Sequence, residues 1–165
     1  MGPTANEEDL VKYAFALFLN HDFAKSLEVA NMGLKKNPRH AAFNRLAMYN
    51  NTDLKRFEEA LKAADVFFNE CDKADYSYLD YMYYGHLLEE LKKYDEAVGQ
   101  YEKAVELDPT KTDLYKNISS VYEQKNDYKK AIGAYHKYYS SLEKEKQTPD
   151  LQFQLGRLYY GAGTQ

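Results

Sequence analysis

The chain has 165 residues, enough for one ordinary domain or a short repeat array. With 44% hydrophobic and 29% charged residues it has a globular composition, and its net charge of −4 weighs against a nucleic-acid or anionic-membrane binder. A single cysteine, Cys71, excludes an internal disulfide framework and a cysteine-based zinc site, and no run of about eighteen apolar residues offers a membrane span.

The first ten residues, MGPTANEEDL, have no apolar core and do not read as a signal peptide; nothing in the sequence names a compartment. In chain order, helical pairs then follow one another. Ala14 marks a small position in a first helix, and nine residues on Phe23 opens a second helix carrying Ser26 and Ala30, closed by Pro38. Met48 occupies the matching slot in the next pair, followed by Phe57, Ala60 and Ala64, with three extra residues around Cys71–Asp75.

The third pair, Tyr81 to Pro109, is the clearest. Tyr81, Tyr84, Gly85 and Leu88 share one helical face, and Lys92–Asp95 interrupts it. Ala97, Val98, Tyr101, Ala104 and Val105 then make a second stripe, which Asp108-Pro109 ends because proline disfavours helical geometry in the residue before it. A fourth pair carries Ser119, Tyr128, Ala131 and Tyr135, with three extra residues around Glu143–Thr148. Pro149–Tyr160 repeats the first-helix pattern with Leu155, Gly156 and Tyr159. The slots Ala14, Met48, Gly85, Ser119 and Gly156 are thus 34, 37, 34 and 37 residues apart.

Small residues at the slot and twelve positions later allow two helices to cross closely, and the aromatics fill the wedges between hairpins. This pattern resembles the tetratricopeptide repeat family, over nearly the whole chain from about Glu7. Tyr81 stands where the family often has Trp; Met48 in the small slot and Asn51 in place of the usual aromatic depart from it. The resemblance implies an all-α fold, a right-handed superhelix (α-solenoid) of antiparallel helical hairpins. It is expected to form a single array with units at about 7–40, 41–77, 78–111, 112–148 and a partial one at 149–165. The next opening aromatic falls due at Gln165, so the sequence reads as a piece of a longer repeat protein. Leu151, Phe153, Leu155, Leu158 and Tyr159 make the last helix apolar, which implies self-association through an uncapped end.

In this family the inner face is lined three before, one after and four after each slot. Those positions include Val11, Phe15 and Phe18; Arg45 and Tyr49; Met82, His86 and Glu89; Lys116, Ser120 and Glu123; and Phe153, Arg157 and Tyr160. The resemblance implies a groove with an apolar N-terminal end and scattered cations, suited to a peptide with a hydrophobic anchor and an acidic group. One branch of the family clamps C-terminal carboxylates with Lys and Asn; here Met82, His86, Asp150 and Gln154 occupy the places of its key residues, so that mechanism is rejected.

His86 and Glu89, one turn apart, are the best acid–base or metal candidate, but no further ligands converge on them, and neither a metal, a cofactor nor an enzymatic activity is expected. Asn50-Asn51-Thr52 and Asn117-Ile118-Ser119 match the glycosylation pattern inside helical sequence and read as chance. A protein-interaction scaffold holding a peptide or protein partner is the expected function, with a ligand-free structural spacer of a larger protein as the alternative.

Overall fold

The computed structural model describes residues 3–71 and 75–164, with side chains from Glu7 onward. Among them lie nine α-helices and no strand: α1 (Pro3–Leu19), α2 (Phe23–Lys36), α3 (Ala41–Asp53), α4 (Phe57–Asn69), α5 (Tyr78–Glu90), α6 (Tyr94–Leu107), α7 (Leu114–Gln124), α8 (Tyr128–Ser141) and α9 (Pro149–Gly163). Phe23, Phe57, Tyr94 and Tyr128, the expected opening aromatics, are the first residues of α2, α4, α6 and α8. The extra residues expected around Cys71–Asp75 fall partly outside the described residues, as does Gln165. Those around Glu143–Thr148 include a short 3-10 turn, Lys144–Lys146.

The helices fall into two compact units, Met1–Tyr76 and Ser77–Gln165. In the first, α2 packs against α1 and α3, α4 against α3, and α1 also reaches α3 directly. In the second, α5 to α9 each pack on the next helix in the chain.

All four hairpins turn in the same way. His21, Lys55, Lys92 and Asn126, each seven residues after its slot, take left-handed φ values of 62°, 61°, 61° and 62°. The following residue donates its N–H five residues back around the turn: Asp22 to Leu17 at 2.9 Å, Arg56 to Asn51 at 2.7 Å, Lys93 to Leu88 at 2.8 Å and Asp127 to Tyr122 at 2.9 Å. This Schellman arrangement satisfies carbonyls that a helix end leaves without partners. Asp22 and Asp127 also cap the next helix, accepting from the N–H of Lys25 and Lys130 at 3.3 Å. At Pro38 and Pro109 the preceding residues leave the helical region at ψ 87° and 89°, as a following proline requires.

In the first and fourth hairpins the small slots meet in pairs. Ser26 Oγ donates to the Ala14 carbonyl at 2.7 Å, and in the fourth hairpin the roles exchange, with Ser119 Oγ donating to the Ala131 carbonyl at 2.7 Å. Gly85 is required by close approach: a Cβ there would lie 2.9 Å from the ring of Tyr101, sixteen residues on. Met48 is wholly buried in the same slot. The residue sixteen later is Ala64, also wholly buried, so a large residue in the slot goes with a small one at the later position. Gly156 occupies the slot in α9, which has no following helix among the described residues, and a Cβ there would meet nothing within 4 Å. Asn50, in the first glycosylation-like triplet, is fully buried and donates to Ser26 Oγ at 2.8 Å, so it offers no acceptor site.

Candidate functional site

The first-helix face differs between the two units. In the first, Val11 is half-buried and Phe15 is 40% exposed, but Phe18 and Tyr49 are 9% and 1% exposed. Their rings meet at 5.3 Å and lie inside the packing of α1 on α3. Tyr49 was expected to line a groove; α3 is buried on nearly every side, and the ring is enclosed there instead. Arg45 lays its guanidinium over Phe67, 5.0 Å from the ring centre, and donates to the Asp75 carbonyl at 2.8 Å. Its charge therefore braces the end of the unit.

The second unit keeps more of its expected positions at the surface. Met82 is half-buried on α5, and His86, Lys116, Ser120, Phe153, Arg157 and Tyr160 are exposed on α5, α7 and α9. His86 faces Glu90, with Nε2 and Oε1 3.8 Å apart, rather than Glu89. Glu89 accepts from the Tyr101 hydroxyl at 2.9 Å and from Gln124 Nε2 at 2.6 Å, tying α6, α5 and α7 together. Burial, and then the Glu89 carboxylate, push the Tyr101 hydroxyl well above the usual tyrosine range. The acid–base pair read from the sequence is therefore split between two partners. Among the described residues no group of three or more His, Cys, Asp or Glu is placed to hold a metal.

Arg157 grips Glu123 with both ends of its fork, at 2.6 and 2.9 Å, bridging α9 to α7. The Glu123 carboxylate raises the pKa of the guanidinium further above its already high value. Beside this bridge lies a concavity of about 330 Å³ between α7, α8 and α9, lined by Lys116, Ser120, Glu123, Leu151 and Gln154. Lys116, Ser120 and Glu123 are positions the repeat register assigns to the groove; Leu151 and Gln154 are not. Lys116 sets its ammonium over Tyr138, 5.2 Å from the ring centre. Gln154 accepts from Arg157 Nε at 3.1 Å through its carbonyl oxygen, which leaves its amide N–H groups directed elsewhere. The rings of Phe153 and Tyr160 stand 74% and 76% exposed on α9.

Residues 85–126 match the family profile described as TPR repeat. No curated protein matches the chain. Among solved structures, the C-terminal part of a TPR repeat-containing protein from Cytophaga hutchinsonii is 25% identical with a TM-score of 0.79, covering 93% of this chain and 58% of that one. The chain therefore spans little more than half the length of that structure. The MamA protein is similar in fold, with a TM-score of 0.78 at 18% identity over 96% of this chain and 83% of its own. So is YrrB, described as a TPR protein with an unusual peptide-binding site, with a TM-score of 0.72 at 15% identity over 92% of this chain and 75% of its own.

Proposed function

We propose that this chain, four helical hairpins and the first helix of a fifth with a TPR repeat match over residues 85–126, is a protein-interaction scaffold that takes a peptide on the first-helix face of its second unit. The observation that carries this reading is the concavity beside α7 and α9, where a cation, a hydroxyl, an amide and an apolar side chain converge. Extended peptides need that mixture: donors and acceptors for their backbone, and apolar area for an anchor. Ser120 and Gln154 would bond the peptide backbone, and Leu151 would receive the anchor. Lys116 would take an acidic side chain. Arg157 is committed to Glu123, and Arg45 to the Asp75 carbonyl and Phe67, whereas Lys116 meets the face of Tyr138 and no carboxylate among the described residues. The fold shared with a protein described by its peptide-binding site is consistent with this use.

A random peptide library selected on the immobilised chain tests the reading. Selected peptides should carry an acidic residue near an apolar one, and Lys116→Glu and Ser120→Trp should each weaken them about tenfold or more, because one reverses the charge and the other fills the cavity. Failure to select any peptide would favour the ligand-free spacer. Binding that both variants leave unchanged would move the site elsewhere.

A further inference from the structure

A second cleft in the second unit shares no lining residue with that concavity. Its volume is about 610 Å³, its walls are α6 and α8, and its floor is α7. Val105, Ile118, Ala134 and the rings of Tyr115 and Tyr122 make the interior apolar. The rims carry opposite charge: Glu102 and Glu106, one helical turn apart on α6, face Lys130 and Lys137 on α8. Among the described residues no ion pair joins the two rims. Lys130 lies 3.9 Å from Asp127 on its own side and 5.6 Å from the ring centre of Tyr122, and Lys137 lies 5.5 Å from that of Tyr115. The two signs are held apart by the width of an apolar trough.

The first unit provides a comparison. Largely the same register positions, though not that of Glu106, form a smaller cleft of about 350 Å³ between α2 and α4 over α3. There Arg56, Glu59 and Lys62 all stand on the α4 side, opposite the neutral Asn31, and the floor presents Asn44 and Asn51 where the second unit has Tyr115 and Tyr122. Of these two clefts, only the one between α6 and α8 sets opposite charges on facing rims over an aromatic floor. It also has Gly133 in its wall: a Cβ added there would meet nothing within 4 Å. A glycine inside a helix destabilises it relative to alanine, and no close contact within the chain requires one here.

We infer that the cleft between α6 and α8 docks a short amphipathic helix from a partner protein, its apolar stripe on Tyr115, Ile118 and Tyr122, a basic edge toward Glu102 and Glu106, and an acidic edge toward Lys130 and Lys137. An apolar stripe between two helices over a third is the geometry of helix-in-groove recognition. The oppositely charged rims select a helix with one edge of each sign and set its direction, because turning it end for end exchanges the edges. This site is separate from the peptide face proposed above, so either can fail without the other.

The test uses the full chain and three synthetic helices sharing one leucine stripe: one with a Lys edge and a Glu edge, one with Lys on both edges, and one with Glu on both. Fluorescence anisotropy should rank the mixed helix about three- to tenfold tighter than either single-sign helix, from two lost surface pairs and two like-charge contacts. In E102K/E106K, whose rims are both basic, the all-Glu helix should become the tightest. Gly133→Leu should abolish binding of the mixed helix while raising the thermal midpoint, so its loss of binding cannot be loss of fold. Gly99→Leu, an equally unobstructed glycine of α6 outside the cleft lining, should raise the midpoint and leave binding unchanged. Equal affinity for the three helices, or undiminished binding by Gly133→Leu, would overturn the assignment. So would loss of binding in Ser120→Trp, which alters a residue outside the cleft lining. Self-association of the chain alone that disappears in Gly133→Leu would name a second copy as the occupant and likewise overturn it.

Discussion

Replacing Gly33 with alanine adds one methyl group, and the structure fixes where it goes: 2.2, 2.4 and 2.5 Å from Cε2, Cζ and Cδ2 of Phe43. Carbon atoms in good contact are about 3.5–4.0 Å apart, so the ring must move by more than an ångström. Phe43 is wholly buried on α3 with its ring against His40 at 4.5 Å, and it has nowhere to go without disturbing the seam between α2 and α3. Overpacking of this kind costs about 1–3 kcal/mol, partly offset by about 1 kcal/mol because alanine is the better helix former. Gly133→Ala makes the same chemical change with nothing within 4 Å, and should gain the helix-propensity term alone. The propensity terms largely cancel between the two variants, so their difference in unfolding free energy isolates the overpacking. Gly33→Ala should therefore be about 1–3 kcal/mol less stable than Gly133→Ala. Urea denaturation followed by circular dichroism at 222 nm, with the m-values compared, measures that difference. Equal stability of the two variants would refute the claim that Gly33 is set by the approach of α3.

Three further perturbations follow from the same packing. Lys55→Gly and Lys92→Gly should each stabilise the chain by up to about 1 kcal/mol in thermal melts, since a left-handed lysine costs about 1–2 kcal/mol and glycine returns part of that as chain entropy; Asn126→Gly should gain less, because asparagine tolerates the conformation. Ser26→Ala should cost about 1–3 kcal/mol, because it strands the amide of buried Asn50, whose Oδ1 already has no partner among the described residues. Tyr101 holds its proton more tightly folded than unfolded, so its contribution to stability is complete below about pH 10 and is lost as pH rises beyond that; Tyr101→Phe should show a shallower loss of stability above pH 10 in pH-resolved melts.

The hairpin register was legible because its signals are local. The opening aromatics Phe23, Phe57, Tyr94 and Tyr128 begin their helices, and Ser26, Ala60, Ala97 and Ala131 are wholly buried where helices cross. The repeating turn was not legible, since three of its four left-handed residues are His or Lys rather than Gly or Asn. Met48 departs from the small-slot pattern, and the small size of Ala64, sixteen residues on, goes with it. The site was harder to read than the fold. Which face a residue occupies follows from its register, but whether it is reachable depends on neighbouring helices. Tyr49 and Phe18 disappear because α1 touches α3, and Arg157 is taken by Glu123, 34 residues earlier in the chain. His86 turns to Glu90, a choice of rotamer and partner that spacing alone leaves open. The cleft between α6 and α8 carries no motif, and only the juxtaposition of α6, α7 and α8 brings its opposite charges to facing rims.

Peptide binding at the first-helix face of the second unit can be read residue by residue by amide-resolved NMR of the isotope-labelled chain titrated with a library-selected peptide. Saturable shifts are expected to centre on Lys116, Ser120, Leu151 and Gln154, the residues around the concavity, and to be absent in Ser120→Trp. Shifts centred on α1 and α3, or on the cleft between α6 and α8, or no shifts from a peptide that binds by anisotropy, would contradict it.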